Sequence, residues 1–281
     1  MERLARGRKR FPQSLVTMKS ELTTIPLSEG RSLIASHSLA KTKSKRWIVF
    51  LTESGSDFRS ADRKELESLI GPKVARHFNF LIINKPGLSP GKTNRSLFEN
   101  SFRRTRRIED ALATMKTIVP KDHDIHLVGY SEGAYLTPQV ARRDKRVKTI
   151  SMIGGGTRGW LKEELNTATA REKKSYAKII NKIYKNPNSL KRWNGFSYAT
   201  WYSYRGDNTF QALRNLKLPT LAILGARDTV IDLRSTIVDM VLISENQPIH
   251  IHIFGDCGHY FSKHWREVER VLGRFLKDNV L

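Results

Sequence analysis

The chain has 281 residues, a length that suits one large domain or two small ones. Hydrophobic residues make up 39% of it and charged residues 27%, which excludes a wholly disordered protein. Its single cysteine, Cys257, excludes an internal disulfide and a multi-cysteine metal site. We therefore expect a globular protein, and a cytoplasmic location fits because nothing in the chain needs an oxidising compartment.

The charge is strongly basic: 50 Lys and Arg against 27 Asp and Glu give a formal net charge of +23. A field of that size attracts polyanions, anionic membranes or anionic substrates without identifying which of them. The basic residues are spread along the chain, with the densest clusters at Arg103–Arg107 and Arg142–Lys148. Such a spread favours a basic proteome or a solubility adaptation as its explanation.

The N-terminal residues 1–20 are rich in arginine and lack the unbroken apolar stretch of a secretory signal. They predict a basic, flexible tail, and Met18 is an alternative start of the chain. No window of the sequence approaches the roughly 18 apolar residues of a membrane span.

Short apolar runs bounded by turn residues predict seven strands. In chain order these are Ile34–Leu39, Trp47–Leu51, Phe78–Ile83, Ile125–Tyr130, Thr149–Ile153, Leu221–Leu224 and Ile249–Phe254. Helical patterns lie between several of them, the clearest with its apolar face at Ile108, Ala111, Leu112, Met115 and Ile118. Apolar strands that alternate with helices predict an α/β fold with a mostly parallel sheet and helices on both faces.

No strand is predicted between the glycine run 154–156 and Leu218–Pro219, which precede the next predicted strand. The segment between them is rich in aromatic residues, which suits a small helical cap over an apolar cleft. We predict a core of residues 21–156 and 218–281 and a cap insertion of residues 157–217. Trp160, Trp193 and Trp201 are candidate substrate contacts, although most of the aromatic residues would form the core of the cap itself.

A G-x-S-x-G pattern, Gly129 to Gly133, stands directly after a predicted strand and before a helix. A nucleophilic serine needs such a tight turn, and flanking glycines relieve the crowding there. Ser131 is therefore the candidate nucleophile. The amide of Glu132 would point at the same spot from a helix N-terminus, where partial positive charge favours an oxyanion.

A serine hydroxyl needs a base held by a carboxylate. Asp228 follows the predicted strand Leu221–Leu224, and His259 follows the strand Ile249–Phe254, so both are expected at the carboxyl edge of the sheet. Asp232 and Asp256 are alternative acids, but Asp228 lies in the first turn after its strand.

The other late histidines lie in a strand pattern or at a helix start, where a structural role fits better. These are His250, His252 and His264. A second oxyanion donor should come from the loop after Trp47–Leu51, and the amide of Ser54 is the candidate. The alternative interpretation is that this loop is only a turn.

Five segments resemble, in order and spacing, the bacterial serine aminopeptidase-like and EstD-like esterases of the α/β-hydrolase superfamily. They are SGSDFRSAD, NKPGLSPGKT, GYSEGAYLTPQVA, LGARDTVID and GDCGHYF, within residues 30–280. The resemblance implies an α/β-hydrolase fold with a helical cap and a carboxylic ester hydrolase without cofactor or metal. Ser131, Asp228 and His259 match its catalytic triad, and Ser54 falls in its oxyanion loop.

The chain also departs from that family. Thr52 and Glu53 stand where a His-Gly pair is frequent, and Tyr130 stands where histidine is frequent. Ester, thioester and amide hydrolysis use the same machinery, so the substrate stays open, with an anionic thioester compatible with the basic charge. The rival interpretation is an inactive protein of the same fold that binds polyanions through its basic surface.

The segment Pro86–Thr93, which ends in Gly-Lys-Thr, imitates a phosphate-binding loop. That motif needs glycine where Pro86 stands, and the two prolines of the segment remove amides that would bind phosphate. We therefore predict that the segment does not bind nucleotide.

Overall fold

A computed structural model describes residues 20–281. The N-terminal tail predicted over residues 1–20 and the alternative start Met18 therefore lie, except for residue 20, outside the described residues. None of the helices in the described part of the chain combines the length and the apolar character that crossing a bilayer requires.

Eight strands of five to seven residues form one sheet. They are β1 (Glu21–Pro26), β2 (Ser32–Ser38), β3 (Arg46–Leu51), β4 (Asn79–Ile83), β5 (Asp124–Tyr130), β6 (Val147–Ile153), β7 (Thr220–Gly225) and β8 (Ile249–Phe254). Their spatial order is β1-β2-β4-β3-β5-β6-β7-β8. β2 is antiparallel to both β1 and β4, and the other pairs are parallel.

All seven predicted strands correspond to strands of this sheet, β2 to β8. β1 was missed because it is an edge strand: only Ile25 among its six residues is buried, and it ends at Pro26. Its sequence therefore carries no clear apolar period.

Eleven α-helices occur within residues 20–281. They are α1 (Arg63–Ile70), α2 (Pro72–Ala75), α3 (Arg95–Ser101), α4 (Arg104–Ile118), α5 (Glu132–Ala141), α6 (Trp160–Asn166), α7 (Ala170–Lys185), α8 (Tyr198–Ser203), α9 (Thr209–Arg214), α10 (Leu233–Ser244) and α11 (Trp265–Val280). Two antiparallel pairs of two-residue strands complete the fold, Leu88–Ser89 with Lys92–Thr93 and Arg192–Trp193 with Phe196–Ser197.

Both faces of the sheet are covered, as the apolar strands predicted. In β3, Val49 and Leu51 belong to one buried cluster, while Ile48 and Phe50 belong to another on the opposite face. Successive side chains of a strand point to opposite faces, so each face has its own core. The predicted apolar face of α4 packs in the first of these clusters.

The segment 157–217 lies between β6 and β7 and contains α6 to α9. A third buried cluster joins its aromatic side chains to Tyr135 of α5 and to Leu224 at the carboxyl end of β7. The aromatic part of the segment therefore packs beside the edge of the sheet where β5 and β7 end. Leu213 of α9 instead packs in the main core cluster, so the last helix of the segment covers the sheet.

Candidate active site

Ser131 occupies the tight turn between β5 and α5, where its backbone has φ 52° and ψ −115°. A positive φ is unfavourable for a residue with a side chain and persists only where the surrounding structure holds it. Here the Ser131 amide donates to the carbonyl of Ile153 in β6, at 2.8 Å. A Cβ on Gly129 or on Gly133 would collide with neighbouring backbone, so the two glycines are required by close packing.

His259 faces this turn from the loop after β8. Its Nε2 lies 2.9 Å from the Ser131 hydroxyl oxygen, and its Nδ1 lies 2.8 Å from Oδ2 of Asp228. The three predicted side chains therefore form one continuous hydrogen-bonded chain. Ser131 is half-buried and His259 is buried, which leaves the hydroxyl as the accessible end of this chain.

The loop after β7 holds Asp228 in place. The carboxylate is fully buried, and its second oxygen accepts hydrogen bonds from the amides of Val230 (2.7 Å) and Ile231 (3.2 Å). One oxygen is thus committed to the backbone and the other to His259. This arrangement keeps a hydrogen on Nδ1 and directs the lone pair of Nε2 towards the serine.

The alternative acids and bases have other partners. Asp232 caps the N-terminus of α10 by accepting from the amide of Ser235, at 3.1 Å. Asp256 Oδ1 lies 3.1 Å from Nε2 of His264. His250 and His252 lie within β8. The structure brings none of these side chains into the chain of Ser131, His259 and Asp228.

The loop after β3, which carries Ser54, lies beside the serine turn. A Cβ on Gly133 would meet the carbonyls of Leu51 and Thr52, so this loop and the start of α5 are in close contact. The predicted oxyanion donors, the amides of Ser54 and Glu132, therefore belong to two neighbouring segments.

A buried lysine that the sequence analysis did not single out forms hydrogen bonds with the loop after β3. Lys85 is buried and donates from Nζ to Thr52 Oγ1 (2.9 Å) and to the Gly55 carbonyl (3.0 Å). Burial, with Arg107 nearby, lowers the pKa of Lys85 to about 7. Thr52, which departs from the family pattern, is therefore one of the two residues of the loop that Lys85 contacts.

Glu132 has a buried side chain that links three parts of the chain. It pairs with Arg107 of α4 at 3.3 Å, and it accepts a hydrogen bond from the hydroxyl of Tyr204, in the segment 157–217. Arg107 also donates to the Thr52 carbonyl, at 3.3 Å. Glu132, the residue after Ser131, therefore couples the serine turn to the segment 157–217.

Glu163 of α6 makes a second such link. Its carboxylate accepts hydrogen bonds from the amides of Arg158 (3.2 Å) and Asp232 (2.5 Å), so it links the segment 157–217 to the loop that carries Asp228. Burial raises the pKa of Glu163 to about 7.

The three predicted tryptophans lie together in the aromatic cluster. The ring of Trp201 is 4.8 Å from that of Trp160 and 5.1 Å from that of Trp193, centroid to centroid. Trp160 and Trp201 are buried, whereas Trp193 is half-buried. Gly91 to Thr93, the end of the apparent phosphate-binding loop, lies in a short exposed hairpin.

Lys85, Arg107 and Tyr204 are the contacts that the sequence analysis missed. Arg107 was seen only as part of a basic cluster, and nothing in its local pattern distinguishes it from the half-buried arginines beside it. Lys85 follows the carboxyl end of β4, which pairs with β3. Residues just beyond the carboxyl ends of parallel strands often contribute to binding sites, so its position in the sequence could have indicated this role.

Solved structures of other proteins share this architecture. The acylaminoacyl peptidase of Pyrococcus horikoshii superposes with a TM-score of 0.68 at 15% identity over 95% of this chain, which spans 42% of that peptidase. The esterase Pf2001 of Pyrococcus furiosus gives 0.63 at 16% identity over 96% of this chain and 98% of its own. Est1E of Butyrivibrio proteoclasticus gives 0.60 at 11% identity, over 92% and 98%.

No protein-family model and no curated protein matches the sequence. At identities of 11 to 16%, the structural likeness establishes the fold. The chain has the α/β-hydrolase fold, as the order and direction of its eight strands also show.

Proposed function

We propose that this protein is a serine hydrolase that cleaves a carboxylic ester or thioester through an acyl-enzyme on Ser131. The observation that carries the proposal is the chain of hydrogen bonds from the Ser131 hydroxyl through His259 to Asp228, at 2.9 and 2.8 Å. A strained serine, a base and a buried acid in this order are the parts that acyl transfer requires.

In the first step, Nε2 of His259 takes the hydroxyl proton as Ser131 Oγ attacks the acyl carbon. The positive charge that forms on the imidazole faces the Asp228 carboxylate. The amides of Glu132 and Ser54 stabilise the negative oxygen of the tetrahedral intermediate. Collapse of this intermediate expels the alcohol or thiol, which receives the proton from His259, and leaves the acyl group on Ser131.

In the second step, His259 takes a proton from water, and the resulting hydroxide attacks the acyl carbon. The second tetrahedral intermediate uses the same two amides. When it collapses, His259 returns the proton to Ser131 Oγ and the carboxylic acid leaves. The cycle needs no cofactor, and Nε2 of His259 accepts and returns the proton in both steps.

The segment 157–217 acts as the cap in this proposal, and its aromatic cluster forms one wall of the acyl site. Tyr135 of α5, one turn beyond Ser131, belongs to that cluster. Trp160, Trp193 and Trp201 are the side chains for substitution here. Because Trp193 alone of the three is half-buried, Trp193→Ala should raise KM for longer acyl chains with little loss of stability.

The test compares wild type with Ser131→Ala on short and medium p-nitrophenyl esters and on an acyl thioester. We expect hydrolysis by wild type and a loss of about 10³-fold or more in Ser131→Ala, which lacks the attacking oxygen. Ser244→Ala, at an exposed serine of α10, is the matched control and should keep full activity.

A fluorophosphonate reagent provides an independent readout because it labels an activated serine whatever the substrate. Wild type and Ser244→Ala should be labelled, and Ser131→Ala should not. If wild type hydrolyses none of these substrates and the reagent leaves Ser131 unmodified, the proposal is wrong.

A further inference from the structure

A surface groove of about 560 Å³ lies where the junction of α3 and α4 meets the inserted segment. Its volume is that of a small-molecule site. Three arginines contribute to its lining, Arg103, Arg106 and Arg205, together with the aromatic ring of Tyr202. No member of the chain of Ser131, His259 and Asp228 lines it, so it is separate from the candidate active site.

The positive charge of this groove is compensated only in part. Within residues 20–281, neither Arg103 nor Arg205 forms an ion pair with a carboxylate, whereas Arg106 pairs with Glu29. The neighbouring carboxylate of Glu99 is shared by two other arginines, Arg95 and Arg192. The groove therefore keeps two guanidinium charges that no described acid balances.

Arg103 is half-buried, and its Nη1 donates to the carbonyls of Glu99 (2.8 Å) and Phe102 (3.0 Å). Burial, and then the like charge of Arg106, lower its pKa to about 10. A partly buried charge without a counter-charge costs free energy, and a bound anion would offset that cost.

Arg205 is exposed, yet its guanidinium is held in one place. Its Cζ lies 3.7 Å from the centre of the Tyr202 ring, and Nη1 donates to the Tyr202 carbonyl at 3.0 Å. Stacking on an aromatic ring leaves the edge of the guanidinium free to bind phosphate oxygens in pairs. The groove thus presents an orientated donor, not a mobile side chain.

The groove also lies next to the contacts of Glu132. Arg106 precedes Arg107, and Arg205 follows Tyr204, and both Arg107 and Tyr204 bind the Glu132 carboxylate. Arg106 and Arg205 are therefore chain neighbours of the two residues that contact the Glu132 side chain.

We propose that this groove binds a small phosphorylated ligand, whose phosphate oxygens accept hydrogen bonds from the guanidinium groups of Arg103 and Arg205. Its concave shape and its size fit a small molecule. The assignment gives a role to Arg103 and Arg205, which the proposed hydrolysis does not use.

The test is calorimetric titration of the full chain with inorganic pyrophosphate at low ionic strength. We expect saturable binding by wild type that weakens at least about 5-fold in Arg205→Gln and in Arg103→Gln, since each loses a charged hydrogen bond. Arg143→Gln is the matched control: it removes the same charge from an exposed residue beyond α5, and should change the affinity less than 2-fold.

Absence of binding by wild type overturns the proposal. Equal weakening by Arg205→Gln and Arg143→Gln also overturns it, because that result reports only the general positive field. Arg103→Gln also removes contacts to backbone, so circular dichroism checks its fold, and Arg205→Gln keeps the test decisive on its own.

A second arm, which rests on the proposed function, identifies the source of the phosphate. If Arg205→Gln raises KM for acetyl-coenzyme A but not for p-nitrophenyl acetate, the ligand is the phosphorylated part of a substrate. If KM is unchanged for both while pyrophosphate binding weakens, the ligand is a separate molecule. Failure of hydrolysis alone leaves the binding result intact and contradicts only the proposed function.

Discussion

The choice between Asp228 and Asp232 offers a sharp test of the site because the two carboxylates should affect different quantities. Asp228 contacts His259 at 2.8 Å and accepts two backbone amides through its other oxygen. Asn in its place keeps an oxygen for these amides but turns an NH₂ group towards Nδ1. The imidazole then holds its hydrogen on Nε2 and cannot accept the proton of Ser131.

We expect Asp228→Asn to lower kcat by about 10⁴-fold, the loss that the wrong imidazole tautomer causes in such a triad. Its thermal midpoint should stay close to that of wild type, since the amide contacts are preserved. Asp232→Ala should behave in the opposite way, because Asp232 caps α10 and does not contact His259.

Loss of an N-cap costs about 1 kcal/mol, which lowers the melting temperature of a protein of this size by about 2–4 °C. The kcat of Asp232→Ala should remain within about 3-fold of wild type. Ester hydrolysis and thermal unfolding followed by circular dichroism measure the two quantities. The reasoning fails if Asp232→Ala damages catalysis more than Asp228→Asn does.

Three further predictions concern buried groups. Lys85 has a pKa of about 7 in the folded protein and 10.5 in the unfolded chain, so between these pH values the unfolded chain binds one more proton. The free energy of unfolding therefore increases with pH in this range. Denaturant titrations should show that the free energy of unfolding of wild type rises by several kcal/mol relative to that of Lys85→Met between pH 7 and 10. Glu132→Gln should lower the free energy of unfolding, measured in urea, by about 3–5 kcal/mol because it leaves Arg107 buried without its partner charge. A decrease of less than about 1 kcal/mol would contradict this account. Trp201→Ala should cost about 3–5 kcal/mol in the same assay, while an unchanged midpoint would show that the aromatic cluster does not stabilise the inserted segment.

Local patterns were sufficient for much of the fold. The seven predicted strands could be recognised because each is short and apolar and is followed by turn residues. Helix α4 could be recognised because its apolar residues recur with the period of a helix. The serine turn was readable because only glycine fits at 129 and 133, where added side chains would meet backbone. β1 was not, because an edge strand with a single buried residue has no distinctive period.

Only the tertiary structure decides which distant residues meet. The chain places Ser131, Asp228 and His259 after three strands, but the packing of β5, β7 and β8 in the sheet and the path of the loops after them set the distances of 2.9 and 2.8 Å. The contacts of Glu132 join three separate segments, since its partners are Arg107 and Tyr204. No local sequence pattern in any of the three segments predicts these contacts. A sequence determines local conformation through nearby residues, whereas contacts between segments depend on how the whole chain packs.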